Sequence, residues 1–300
     1  MTARLALLLT LGSLANASIA TAQTISPIEQ IAFARPEAWA MKYFTSATSL
    51  NGLQSPTDLE RGALAIGLEG GWLPKLSPSQ ELVGFNGTSP EDLNQAPGFL
   101  RPRIAYGLGR DLVILAAYDP PIHAFGVTPH LLALGLDGII STRGPWRIGW
   151  RAHGQIGHVT AAVTCPSSAI AFPPGSPGNP VGCTEESADV TSLRYIGGEV
   201  NVARRIGHGF VPHAAVGVNF IDTVFQTNAA EYGVTDHTRL LDSGVTVAAT
   251  VGFAYQIASR VSVAADFFYS PLTVQRTASS PVSIDPMMNA RAIIMYEVIR

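Results

Sequence analysis

From Arg61 to the C-terminus, apolar residues fall on alternate positions, and this two-residue period restricts the chain to β-strands with two chemically different faces. In the stretch VTVAATVGFAYQI the odd positions Val245, Val247, Ala249, Val251, Phe253, Tyr255 and Ile257 are oily, while the even positions Thr246, Ala248, Thr250, Gly252, Ala254 and Gln256 are small or polar. Leu64, Ile66, Leu68 and Trp72 alternate in the same way with Ala63, Ala65, Gly67 and Glu69, and Trp146, Ile148, Trp150 and Ile156 alternate with Arg147, Arg151, His153 and Gln155. Further segments run over 100–108, 112–118, 131–141, 190–206, 210–223, 261–271 and 289–299, which brings the count to about ten strands, within a range of eight to twelve.

The connections between these segments alternate in length. Short turns fall at Gly109-Arg110-Asp111, Thr142 to Pro145, Gly207-His208-Gly209 and Ala258-Ser259-Arg260. Between them lie longer links at 75–98, 121–129, 166–188, 230–238 and 275–287. Aromatic residues of the oily parity gather at the two ends: Tyr106, Trp146, Trp150, Phe210, Tyr255 and Tyr296 toward the short turns, Trp72, Tyr118, Phe220 and Tyr269 toward the long links. Two such rows are what anchoring at both membrane interfaces requires, and a soluble sandwich offers no reason for them. Only 14% of the 300 residues are charged, against about 25% in soluble domains. The oily face is therefore expected to meet lipid and the polar face to line a lumen.

The chain opens with Arg4, an apolar run from Leu5 to Ala15 and Ala20-Thr21-Ala22 before Gln23, which reads as a cleaved secretory signal peptide over residues 1–22. The two cysteines, Cys165 and Cys183, flank a loop rich in Pro, Ser and Gly, and in an exported chain they are expected to pair as a disulfide. Two cysteines without an HExxH or CxxC pattern make no zinc site, so neither metal nor cofactor is expected. The net charge of −3 with no basic block excludes nucleic acid as a partner. Residues 23–60 break the period. Ser26-Pro27-Ile28-Glu29 and Pro36-Glu37 each look like a helix start, so two short helices are expected there, as a hatch in the lumen or as a segment at the periplasmic mouth.

These features resemble those of the bacterial outer-membrane β-barrel proteins, over the leader and roughly residues 61 to 300. The final stretch MNARAIIMYEVIR carries Ala290, Ala292, Ile294, Tyr296 and Val298 on one face; such proteins usually end in an aromatic residue, and this chain ends in Arg300. The resemblance implies an all-β fold, a transmembrane antiparallel up-and-down barrel over 61–300, with both ends of the mature chain in the periplasm and outer-membrane lipid around it. Fatty-acid transporters of that membrane carry a comparable N-terminal hatch.

The positions expected to line the lumen are Glu69, Arg101, Arg103, Asp119, Asp137, Arg147, Arg151, His153, Glu199, Asn201, Arg205, His213, Asn219, Asp242, Asp266, Arg291 and Glu297. Both signs are mixed at both ends, with no single-sign ring of the kind that selects ions. Hairpin counting puts Glu69 opposite Ile104, with Arg103 and Arg291 as its neighbours, and Asp137 close to Arg151. The functional expectation is passive passage or binding of a small or amphipathic solute through a narrow polar lumen. A closed structural or adhesive barrel is the first alternative. An outer-membrane enzyme acting on lipid or peptide is the second, since His123, His130, His158 and His237 lie toward the long links, but no GxSxG or similar nucleophile pattern accompanies them.

Overall fold

A computed structural model of the chain describes residues 23–54, 56–207 and 209–300. The expected signal peptide over 1–22 lies outside the described residues. Ten long strands follow one another: β1 (Leu64–Trp72), β2 (Gly98–Gly109), β3 (Leu112–Asp119), β4 (Val127–Arg143), β5 (Trp146–Ala161), β6 (Asp189–Arg204), β7 (Phe210–Gln226), β8 (Arg239–Ala258), β9 (Val261–Ser270) and β10 (Met287–Ile299). Each pairs antiparallel with the next, and β10 pairs antiparallel with β1, so the sheet closes on itself and leaves no edge. The fold is a closed up-and-down barrel of ten strands.

The alternation decides which side each residue takes. Ile66, Leu68, Ile104, Val216, Val247, Val251 and Ile294 all face outward and are exposed, whereas Ala65, Glu69, Ala105, Ala215, Ala248 and Ile293 are buried inside. Trp72, Phe220 and Tyr269 near one end, and Tyr106, Trp146, Tyr255 and Tyr296 near the other, are likewise exposed on the outside. A soluble protein does not leave so continuous an apolar band in water. β4 to β8 have 17, 16, 16, 17 and 20 residues, more than the roughly 9–11 that cross a bilayer. On β8 the surplus lies on the long-loop side, where residues 239–248 run past the last pairing with β9.

The tight turns need left-handed backbone. Arg110 and Asp111 between β2 and β3 have φ of 54° and 59°, the conformation that lets a two-residue hairpin follow the twist of its strands. On the opposite side, Asp189 at the head of β6 organises the long loops. One of its oxygens accepts the amides of Val163 (3.1 Å) and Thr164 (2.7 Å) and the Ser187 hydroxyl (2.8 Å), and the other accepts the Asn228 amide (2.8 Å). Cys165 and Cys183 form the disulfide, buried with Ala229 and flanked by Ala169 and Val181.

The N-terminal segment differs from expectation in two ways. Of the two expected helices, only the second exists: α1 (Pro36–Ala47), with proline in its first turn and Glu37 beside it. The first is a strand, Ile28–Gln30, which pairs in parallel with Arg239–Leu241, while Gln23–Ile25 pairs in parallel with Val234–Asp236. The unpaired edge at the head of β8 captures the extended chain, and the Ile31 amide continues the pairing by donating to the Leu241 carbonyl (2.9 Å). Both partners lie on the long-loop side. Residue 23 and Arg300 therefore sit at opposite ends of the barrel, and the expectation of both ends at the short-turn side is corrected.

Two outcomes follow for the loop side. Cys165→Ser is expected to make residues 166–182 cleave earlier in limited proteolysis while heat-dependent gel mobility stays that of the intact barrel, because closure of a ring this size is worth about 3 kcal/mol in the entropic account and the Asp189 bonds remain. Burial pushes the Glu91 carboxyl in the β1–β2 loop up to about 9, Asp189 and Glu231 adding to the rise. The folded state holds that proton more tightly than the unfolded chain, so this stabilisation is full below the ordinary carboxylate range and is lost as pH rises through about 9. Proteolysis of residues 73–97 is expected to quicken between neutral and alkaline pH, and Glu91→Gln to flatten that dependence.

Candidate functional site: a seat for the N-terminal segment inside the barrel

The lumen is occupied. After its short strands the chain turns inward at Ile31, runs through α1 at the long-loop end, descends over residues 48 to 54, and reaches the short-turn end where the Gly62 amide donates to the Gly107 carbonyl (2.8 Å) before β1 begins. Trp39, Tyr43 and Ala47 of α1 pack with Leu76, Val83, Phe268, Leu272, Val274 and Met287. The Trp39 indole donates to the Asp285 carbonyl (2.8 Å), and the fully buried Lys42 donates to the carbonyls of Phe33 and Thr273.

Residues 48 to 53 have no helix or ladder of their own, and buried backbone groups must find partners. Side chains from five strands supply them. Arg101 of β2 donates to the Thr48 carbonyl (2.8 Å), and Arg151 of β5 donates to the carbonyls of Leu50 (2.9 Å) and Gly52. Arg291 of β10 donates to those of Ser49 (2.8 Å) and Asn51 (2.6 Å). In return Glu199 of β6 accepts the Gly52 amide (2.8 Å), Asp266 of β9 accepts the Leu53 amide (2.9 Å) and the Tyr195 hydroxyl accepts the Leu50 amide (2.7 Å). Asn219 of β7 donates to the Asn51 side chain (3.1 Å). Hydrogen bonds to charged groups contribute about 1.5–3 kcal/mol each, so this short stretch is held by an unusually dense set.

The charges that grip the backbone also neutralise one another. Glu69 takes both Arg101 (2.9 Å) and Arg103 (3.2 Å), and Arg101 lies 3.6 Å from Asp119. Direct pairing puts Glu69 opposite Arg101 rather than Ile104, so its second arginine is Arg103 and not Arg291. The β1–β2 loop begins two residues earlier and ends one residue earlier than the 75–98 that hairpin counting assumed, which together move the register by three. Asp137 lies directly opposite Arg151 and holds it at 2.8 Å, and Arg151 is 3.5 Å from Glu199. Asp266 completes the set, 3.4 Å from Arg291.

Glu69, Arg101, Arg103, Asp119, Asp137, Arg151, His153, Glu199, Asn201, His213, Asn219, Asp242, Asp266 and Arg291 are all buried on the inner face. Three expected positions lie elsewhere. Arg147 is half-buried at the short-turn mouth and pairs with Asp58; Glu297 is also at that mouth and pairs with Arg300 (3.2 Å). Arg205 falls beyond the end of β6, in an exposed turn where strand parity no longer applies, its amide donating to the Pro145 carbonyl (2.8 Å). On the β6–β8 wall, Asn201, Asp242 and the Nε2 of His213 have no hydrogen-bond partner among the described residues, and such buried polar groups are where internal water fits.

The sequence did hold a signal for this seat in its inward-facing glycines. A Cβ on Gly217 would lie 2.8 Å from the Asn51 side chain, on Gly149 2.8 Å from Pro56, on Gly135 3.0 Å from Leu50 and on Gly244 2.4 Å from the Phe33 ring. The wall is bare where the segment passes. Gly52 itself has φ +64°, and a Cβ there would meet Asp266 at 2.5 Å and Thr250 at 2.7 Å. Gly52→Ala is expected to unseat residues 48 to 54 without breaking the ring. Hydrogen exchange of the Leu50 and Leu53 amides should rise by about tenfold or more, the loss of over 1.4 kcal/mol of local stability.

No protein-family model matches the chain, and no curated protein matches it. Among solved structures it is similar to the translocator domain of the autotransporter NalP from Neisseria meningitidis, at 8% identity over 89% of this chain and 99% of that one, with a TM-score of 0.44. It is also similar to the outer membrane protease OmpT from Escherichia coli, at 10% identity over 79% and 94% with a TM-score of 0.38, and to the toluene transporter TodX from Pseudomonas putida, at 11% identity over 91% and 78% with a TM-score of 0.33. Ten antiparallel strands closed into a ring, an exposed apolar band between two aromatic rows and a charged interior give this chain the fold of the bacterial outer-membrane β-barrels.

Proposed function

We propose that the protein is an outer-membrane conduit for a small or amphipathic solute, with the N-terminal segment as a hatch that keeps its polar lumen shut. The observation that carries this reading is the way residues 48 to 53 are held: five strands grip the segment's backbone through charged side chains, while on the adjoining wall the side chains of Asn201 and Asp242 and the Nε2 of His213 have no hydrogen-bond partner among the described residues. A lumen built only for rigidity is better filled by apolar side chains, because buried ions cost several kcal/mol each to desolvate. A cleft of about 290 Å³ supports an amphipathic solute. It lies between α1 and the β1–β2 loop, where Phe44, Trp72, Leu73 and Leu93 offer apolar surface beside the exposed Lys75.

Conductance in planar bilayers and swelling of sugar-loaded liposomes test the reading. The full chain is expected to be nearly closed, and Arg291→Ala, which removes the bonds to Ser49 and Asn51, to raise conductance several-fold while circular dichroism stays that of a β-barrel. A variant whose hatch is loosened by hydrogen exchange and which still passes no ions or sugars would support a closed structural barrel instead.

A further inference from the structure

His130 of β4 and His158 of β5 are directly opposite each other in the strand pairing, and their rings stand edge to face with centroids 5.6 Å apart. Both share the outward parity of Leu132 and Ile156 on the same strands. Tyr118 of β3, in the upper aromatic row, touches the pair edge-on, 5.9 Å from the His130 ring. His130 is exposed and His158 half-exposed, so the two imidazoles stand just past the lipid-facing band, where the surface meets water. The other loop-side histidines are engaged: His123 bonds the Thr128 hydroxyl (3.0 Å) and His237 the Asn228 side chain (2.8 Å).

The backbone holds this pair close. Gly157, beside His158 and opposite Leu131, has φ +130°, and a Cβ there would lie 2.0 Å from the His130 carbonyl oxygen. A glycine inside a strand at so tight an approach marks a local irregularity that aims neighbouring side chains.

We propose that His130 and His158 form a binding site for a borderline transition-metal cation, with Cu²⁺ favoured over Zn²⁺. Two imidazole nitrogens at about 2.0–2.1 Å from a metal place each ring centre about 3.2 Å from it. A nitrogen–metal–nitrogen angle of about 90–110° then sets the ring centres about 4.5–5.2 Å apart, close to the separation found here. Binding requires the two rings to turn from edge to face until one nitrogen of each faces a shared point. Imidazole suits copper and zinc, whereas calcium and magnesium require oxygen ligands. No group of three or more His, Cys, Asp or Glu suited to a metal occurs among the described residues, so the remaining coordination positions belong to water or to an incoming ligand. The site is one for an exchangeable ion at the cell surface, not a structural centre. It stands apart from the lumen and does not depend on the hatch.

Calorimetric titration of untagged, refolded full-length protein with Cu²⁺, followed by electron paramagnetic resonance of the complex, tests the site. One equivalent is expected to bind with a two-nitrogen signature, and Mg²⁺ to give no heat. His130→Ala and His158→Ala are each expected to weaken binding about tenfold or more, as one of two ligands is lost. Both residues are surface side chains, so circular dichroism of the variants is expected to match the parent. His123→Ala is expected to change nothing. Copper affinity unchanged in the double variant, or a two-nitrogen signal that survives it, overturns the assignment.

Discussion

The backbone of residues 48 to 53 is sealed from water and makes no regular structure, and the interior of the barrel is arranged around that demand. An amide or carbonyl left unpaired in such a place costs a large part of its hydration. Arg101, Arg151 and Arg291 answer the carbonyls, and Glu199 and Asp266 the amides. Each guanidinium then needs a counter-charge, which is why Glu69, Asp119 and Asp137 stand where they do. The ion pairs are thus a second consequence of the same requirement: charges brought in to satisfy a backbone must themselves be neutralised.

The outer surface obeys a simpler rule. In lipid, only closed ladders satisfy every strand, and β10 meeting β1 provides the closure. Because outward and inward residues alternate, the same ten segments meet hydrocarbon on one side and a charged interior on the other. The interior is itself divided. Leu50 and Leu53 rest against Ala65, Ala105, Val113, Leu115, Ile293 and Met295, apolar positions that stand among the ion pairs of β1 to β4 and β10, whereas β6 to β8 present chiefly amides, hydroxyls and imidazoles.

Much of the barrel was legible in the sequence because strand parity is a local property. Val245 to Ile257 declares its two faces without reference to any other segment, and Arg110-Asp111 or Ser259-Arg260 mark turns by their shortness alone. The seat was not legible in the same way. Glu69, Arg101, Asp137 and Arg151 are recognisable as inward, but that the two arginines serve the carbonyls of residues 48, 50 and 52 depends on a segment with no period and no side-chain signature of its own. The strand at Ile28–Gln30 was hidden for a related reason: Ser26-Pro27 has the local chemistry of a helix start, and only the open edge of β8, about 210 residues away, overrides it. The pairing of Glu69 with Arg101 turned on where a 25-residue loop begins and ends, which strand counting reads only to within a few positions.

The route of the N-terminal segment bears on how such a molecule is built. The chain enters the ring at the long-loop end and leaves it at the short-turn end, with α1 in between. Because β10 closes on β1 around that segment, the chain threads its own ring: an extended stretch can slide through lengthwise, but α1, about 10–12 Å across with its side chains, must either form after the passage or be enclosed before the seam shuts.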